Sequence, residues 1–577
     1  MDNKKEVLVI FKTHLDIGFT DYSKSVLQKY LTKYIPDAIK VGYELKGTDT
    51  PFVWTVGSWL IWQALKRDED KSVEKAINDG ILRWHALPFT THTEIMNKKL
   101  FEYGVGLSKK LDERFGVSTI GAKMTDVPGH TLGMIPILKS KGIKFLHLGV
   151  NPATPVPKVP PIFKWKYKED EVVVMYQGDY GEAAEFDAFI VYFAHTGDNL
   201  GPQSSQAIIN EYEKIRSLYP NCDIKVATID DLAKRVCALS DLPIVEKEIG
   251  DTWIHGAGTD PQKLSRYRAM LRYIEKLDEI QIDLTDSLLC VPEHTWGMDV
   301  KTYFNYDKFY THQEIEKLTK EREKIEKSWE EQREYVEKAE KQLGVPSDYY
   351  ISSPDLTEYQ EIAVPCEIGY EISWQLFDNS DYNRYVKDYM REPENGSWWK
   401  FWDFTKVGLP EYKGNIFVAT VTKAYQKNEE RLYELRFNFE IESKYGLPKL
   451  YLIEQGESVT ITWLGKRASR LPQAFWFKIK GLEEKWWLQK LGVWISPEDI
   501  LDSPLICGID RGIRNPSFEI ESLDCALVAP FGRRLLQYEV KDKKQDLYFN
   551  LYNNIWNTNF PMWYSDDALF RFIKKKI

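Results

Sequence analysis

The sequence predicts an α/β catalytic domain, then a helical bundle, then a C-terminal antiparallel β-sandwich. Three observations carry this. Over roughly the first 240 residues, strand-like and helix-like runs alternate, which implies right-handed crossovers and a parallel sheet. From about 265 to 343 the pattern is helical. From about 400 onward short β-rich runs alternate with turn residues, the signature of a sandwich. The expected divisions are 1–263, 264–395 and 396–577.

The elements follow in order. VLVIF (7–11) is a buried strand and 22–45 a helix; FVWTV (52–56) is a strand with a helix to about 79. ILRWHAL (81–87) and IGAKMT (120–125) are strands, each followed by a helix. IKFLHLGV (143–150), EVVVMY (171–176), AFIVYF (188–193) and CDIKVAT (222–228) complete the set. Seven or eight such units predict a closed or nearly closed α/β barrel, for which the family resemblance given below implies a seven-stranded (β/α) barrel. No glycine-rich phosphate loop follows any strand, which argues against a nucleotide-binding domain. Residues 264–280 and 311–343 read as helices, the second dense in Glu and Lys at i,i+4 spacing and so a solvated helix with one apolar stripe. NIFVATVTK, ERLYELRFNFEI, KLYLIE, SVTITWL, AFWFKI, LDCALVAP and LLQYEV are the expected sandwich strands.

Composition narrows the function. Hydrophobic residues make up 43% and charged residues 28% of 577, enough for large cores. Net charge is −10, which argues against nucleic acid as a partner. Nineteen Trp, 33 Tyr and 27 Phe supply flat apolar faces that suit sugars as well as cores. The six cysteines are scattered without Cys-x-x-Cys spacing, which fits a reducing, cytoplasmic compartment. The first apolar run is too short for a signal peptide and no run is long enough for a membrane span. The expected partner is a carbohydrate substrate, and a homo-oligomer is compatible with the sequence.

Three strands end in ligand-type residues. His14 and Asp16 follow VLVIF in THLDIGF; His92 and Glu94 follow ILRWHAL in TTHTE; Asp126 and His130 follow IGAKMT in TDVPGH. Parallel strands in a barrel point their C-terminal ends at one mouth, so these side chains are expected to converge. Imidazole and carboxylate together form the ligand set of catalytic zinc. His14 and Asp16 can reach one ion, and the Pro128–Gly129 turn is expected to expose Asp126. His195 and Asp198 in FAHTGDN, Asp251, His255 and Asp260 in GDTWIHGAGTD, and Glu293, His294 and Trp296 in VPEHTWG carry similar chemistry. Phe19, Trp54, Trp253 and Trp296 flank these clusters and are expected to line the pocket. So are the amides and aromatics of residues 553–564.

These motifs resemble family 38 glycoside hydrolases, the retaining α-mannosidases. THLDIGF is similar to the His-x-Asp-x-Gly-Trp motif that opens their catalytic domain. TDVPGHT, followed by a helix and GIKFLHLGV, is similar to their Asp-Pro-x-Gly-His segment. The resemblance covers roughly residues 5–300 by motif and the rest by architecture. It implies His14 and Asp16 as zinc ligands and Asp126 as the nucleophile that also touches zinc. It implies a histidine as fourth ligand, His294, with His255 as rival. It leaves Asp251 and Asp260 as the two candidates for acid/base, and His92, Glu94, His130, His195, Asp198, Trp253, His255 and Trp296 as substrate contacts together with Phe19 and Trp54. Phe19 stands where the family has Trp, and Thr295 where it has a sugar-contacting Asp. The reading is thus a zinc-dependent retaining glycoside hydrolase, α-mannosidase-like. The alternatives are a metal-dependent carbohydrate deacetylase or amide hydrolase, and an inactive carbohydrate-binding protein.

Overall fold

Eight of the nine residues in EVLVIFKTH are buried, and they form the strand around which the first part of the protein is built. The structure is a computed structural model that describes residues 4–304, 307–345, 351–392, 398–481, 485–501, 505–538 and 544–577. The chain divides into two units. The first holds residues 1–91, 100–128 and 132–247, and the second holds 92–99, 129–131 and 248–577.

The first unit contains β1 (Glu6–His14), β2 (Trp54–Gly57), β3 (Leu82–His85), β4 (Gly121–Asp126), β5 (Phe145–Val150), β6 (Ile162–Tyr167), β7 (Asp170–Gln177), β8 (Ala184–Glu185), β9 (Phe189–Asp198), β10 (Asp223–Val226) and β11 (Ile244–Val245). One sheet has the order β3-β2-β1-β9-β8, with β10 also paired to β1; the other has the order β11-β6-β7-β5-β4. β1 pairs parallel with β2, β9 and β10, and β4 and β7 pair parallel with β5. The parallel core therefore matches the expected class, but its strands fall into two ladders. No ladder joins β3 to β4 among the described residues; a hydrogen bond from Ala86 N to Gly121 O at 2.9 Å lies at that junction. β6, β8 and β11 are additions. FKWKY alternates buried and half-buried residues, and Lys168 at φ +54° turns the chain back into an antiparallel pairing with β7. Beneath the sheets Leu8, Ile10, Phe145, Met175, Val191, Ile229 and Leu232 form a dry core. Each buries on the order of 2 kcal/mol of apolar surface.

The second unit holds the helices Pro261–Glu275 and Lys320–Leu343. Arg266 locks them together by a two-pronged ion pair to Glu340, at 2.9 and 2.6 Å, the geometry that makes an Arg–carboxylate contact strong. The long helix stops at Gly344, whose φ of +65° suits a residue without Cβ. Two antiparallel sheets follow, of ten and six strands. Strands begin earlier than the expected 396: Gln360–Ile362 and Tyr370–Leu376 already belong to the sheets. Tyr370–Leu376 alternates inward and outward residues and pairs along its whole length with Gln473–Ile479, so the preceding helical composition does not extend through it. Of LLQYEV, Leu535–Tyr538 form no strand and the last two residues lie outside the described residues. Among the described residues no helix is long and apolar enough to cross a membrane.

Candidate active site

β1 and β4 end at His14 and Asp126, and the structure brings these two ends together. His14 Nε2 lies 3.3 Å from Asp16 Oδ1 and 4.0 Å from Asp126 Oδ2. Each of the three offers one ligand atom within 4.8 Å of the others, and all are buried. Two buried carboxylates this close repel each other unless a cation sits between them. The set of one imidazole and two carboxylates is what zinc or a similar divalent ion takes, so the residues present fit a metal.

The surroundings fix each of these side chains. Tyr180 donates its hydroxyl to Asp126 Oδ1, and Asn151 Nδ2 donates to the same oxygen at 2.9 Å. Burial first, then the charges of Asp126 and Asp198, push the Tyr180 hydroxyl well above its usual pKa, so it stays a donor. Its ring stacks on His14, with centroids 4.8 Å apart. Asn199 accepts from Asp16 N at 3.0 Å and donates to Asp16 O and Gly18 O at 3.2 Å each, bracing the Asp16 turn. Tyr30, on a single turn of π-helix, donates to His14 O at 3.3 Å. Asp126 itself sits at φ +93°, a conformation that costs a non-glycine residue about 1–3 kcal/mol and clusters at functional sites. Deeper in the unit lie two buried lysines. Burial lowers Lys123 to about 8 against the pull of Asp16 and Asp126, and Lys12 donates to Tyr180 O and lies 3.5 Å from His195 Nδ1. His195, depressed mainly by burial, is a neutral imidazole in this layer.

A second polar cluster belongs to the second unit. His92 Nδ1 meets Asp251 Oδ2 at 2.7 Å, both fully buried. Asp251 Oδ1 accepts from Trp253 N at 2.9 Å. Burial lowers His130 to about 4 and His255 to about 3, so both are neutral. Glu94 accepts from Asp251 N at 3.0 Å, Gly508 N at 2.7 Å and Lys490 at 2.8 Å, and Lys490 also pairs with Glu248. His294 Nδ1 lies 2.7 Å from Glu293 Oε1. Glu293 accepts from Thr295 N and Oγ1, which fixes its carboxylate beside the His294 ring. Gly129 permits the Asp126–His130 turn to close, since a Cβ there would lie 2.1 Å from Gly250 O.

The placements sort the sequence-predicted residues. His14, Asp16 and Asp126 are brought together. Asp260 caps the helix Pro261–Glu275 by accepting from Lys263 N and is clamped by Arg333 at 2.7 and 3.0 Å. Glu94 is committed to its three donors. Trp54 is fully buried at the start of β2 and Phe19 is half-buried. Trp253 packs edge-on against Trp556, and Trp296 lies against Phe560 with Lys263 Nζ 3.6 Å over its ring. Residues 553–564 join the same layer: Asn553 donates to His255 O at 2.8 Å, and Asn559 accepts from Trp296 N at 3.2 Å. Sequence reasoning missed Tyr180, Asn151 and Asn199. Asp198 drew attention, yet its neighbour Asn199, at φ +53°, braces the site; Asn is among the residues that adopt this conformation, which the sequence alone does not display.

Residues 257–354 match a family model described as a domain of unknown function (DUF5054). No curated protein matches the sequence. Among solved structures, the chain is similar to an α-mannosidase from Enterococcus faecalis V583, with 9% identity over 99% of this chain and 87% of that one and a TM-score of 0.60. It is also similar to a protein in glycosyl hydrolase family 38 from Enterococcus faecalis, with 8% identity over 100% of this chain and 86% of that one and a TM-score of 0.53. The fold is that of these proteins, as the sequence motifs imply for a divergent relative.

Proposed function

We propose that the protein is a metal-dependent retaining glycoside hydrolase of α-mannosidase-like type. The observation that carries this is Asp126: a strained, buried carboxylate at a strand end, oriented by Tyr180 and Asn151 beside His14 and Asp16. In this reading His14, Asp16 and Asp126 hold one divalent ion, zinc by the chemistry of the set, and His294 is the fourth ligand that the sequence motifs imply. When bound, zinc supplies positive charge that orients adjacent sugar hydroxyls. Asp126 attacks the anomeric carbon, its plane fixed by the two donors on Oδ1. A second carboxyl protonates the leaving oxygen and later takes a proton from water; a retaining enzyme needs it roughly 5–5.5 Å from the nucleophile. Asp251 is the candidate, because Asp260 is tied to Arg333 and to a helix N-terminus. His92, the imidazoles of His130 and His255, which burial keeps neutral, and the rings of Trp253 and Trp296 supply sugar contacts, and Phe19, His195 and Asp198 are proposed for the same role.

The test is metal analysis of the purified protein combined with a screen of nitrophenyl glycosides, with and without chelator, and product stereochemistry by NMR. One bound divalent ion, chelator-sensitive hydrolysis and retained configuration support the reading. Hydrolysis of acetylated sugars in place of glycosides assigns the deacetylase alternative. Metal without any turnover assigns a binding protein. Inverted product removes Asp126 as nucleophile.

A further inference from the structure

The ends of β1, β2 and β3 leave a pocket of about 30 Å³ inside the first unit. Its polar lining includes Thr55 on β2, His85 at the end of β3 and Lys123 on β4, and Leu60 and Phe89 close its apolar side. His14 is the one residue it shares with the metal-ligand set. Among the described residues the lining holds no carboxylate.

The polar groups here are donors without acceptors. Thr55 Oγ1 and His85 Nδ1 are buried with no hydrogen-bond partner. Burial first, then the charge of Lys123, keeps His85 a neutral imidazole, which still carries one N–H. Lys123 is buried, and among the described residues its ammonium makes no hydrogen bond and no ion pair; Asp16 and Asp126 attract it only through space. Lys12 is also buried beside this layer, and its ammonium donates to a backbone carbonyl, Tyr180 O, and to no carboxylate among the described residues. Buried charges in proteins are paired, because desolvation otherwise drives them neutral. A water molecule would satisfy the donors but not the charge, whereas a monovalent anion satisfies both. A void of this size holds about one or two water molecules, which admits a halide and excludes a phosphate group or a sugar.

We propose that this pocket binds one small inorganic anion of halide size, chloride in ordinary media, held by Lys123, Thr55 and His85. The anion neutralises a lysine on the strand that ends at Asp126 and touches no substrate. The proposal does not rest on the glycosidase reading. Line broadening of the chloride NMR signal by the full chain tests it, with bromide as competitor and gluconate to hold ionic strength. Broadening that bromide displaces and chelator leaves intact is expected, with affinity about tenfold or more weaker in Lys123→Met, through loss of the charge-assisted contact. Thr55→Val removes one donor at nearly constant shape. It is expected to weaken halide binding about threefold or more, yet to melt no lower than wild type in gluconate, where the hydroxyl has no partner to lose. If Lys123→Met does not fold, Thr55→Val alone gives the reading. Halide binding that chelator abolishes belongs to a metal ion and overturns the proposal. So does binding indifferent to the substitutions, or no binding at about 100 mM chloride.

Discussion

At Asp126 the backbone and the side chain make opposite demands. The φ of +93° suits glycine, whereas the chemistry needs a carboxylate. Replacing Asp126 by Gly and by Ala separates the two. Both variants lose turnover, but Gly is expected to be more stable than Ala by about 1 kcal/mol, because only Ala keeps a Cβ in that conformation. Chemical denaturation checks it, and equal stabilities would mean the strain is relieved elsewhere. Tyr180 poses a subtler case. It keeps Asp126 in plane by donating to Oδ1 and stacks on His14. Tyr180→Phe keeps the ring and removes the donor, so activity or metal affinity is expected to fall roughly 10–100-fold, as for other partners of ligating groups. Metal affinity by competition with a chromogenic chelator and kcat on the best glycoside read the two effects separately. A variant indistinguishable from wild type in both would leave Tyr180 a packing residue.

The short helical turn Thr93–Ile95 and the strand Trp487–Lys490 are joined by a buried charge cluster in which one lysine serves two carboxylates, Glu94 and Glu248. One negative charge is left over, and burial with that repulsion raises Glu94 from 4.5 to about 7. The sign follows from proton counting. Between those two values the folded state holds more protons than the unfolded one, so Glu94 withdraws stability as pH rises through that window. Lys490 is raised, chiefly by Glu248 and Glu94 opposing its burial, so its own contribution persists until strongly alkaline pH. Lys490→Met should therefore destabilise by about 3–5 kcal/mol near pH 8, where two buried carboxylates lose their cation, and by clearly less near pH 5, where Glu94 holds a proton. Thermal melts at the two pH values decide it; an equal loss at both would show the carboxylates are hydrated in the variant. This element was half legible in the sequence. TTHTE stood out because it follows a strand, but nothing in the local pattern of WLQK announces a buried lysine, since its partners lie 396 and 242 residues away.

For the whole molecule, what the sequence showed and what it hid follow the same division between local and distant pairing. β1, β2, β3, β4, β5, β7 and β9 were legible because each is a largely buried run, β10 from its place between helix-like runs although its residues are exposed or half-buried, and His14, Asp16 and Asp126 because they end two of the buried runs. β6, β8 and β11 were not, because their pairing, and not their composition, makes them strands. Nor was the interleaving of the two units legible: residues 92–99 and 129–131 belong with 248–577 although they lie between segments of the first unit. That interleaving leads to the last prediction. A fragment ending at residue 247 looks in sequence like an almost complete catalytic domain. It would nevertheless lose Lys490, Gly508 N and Asp251 N from Glu94, Asp251 from His92, and the hydrogen bond from His130 N to Ile249 O at 2.7 Å. Each stranded buried polar group costs about 1–3 kcal/mol, more for a charge. The three groups stranded, Glu94, His92 and the His130 N–H, together cost an amount that reaches into the roughly 5–15 kcal/mol by which ordinary domains are stable. The 1–247 fragment should therefore be insoluble or lack dispersed amide signals, whereas the full chain, whose segments alternate between the two units, should unfold in one calorimetric transition. A fragment with dispersed signals and a cooperative melt of its own would show that the first unit does not depend on those contacts.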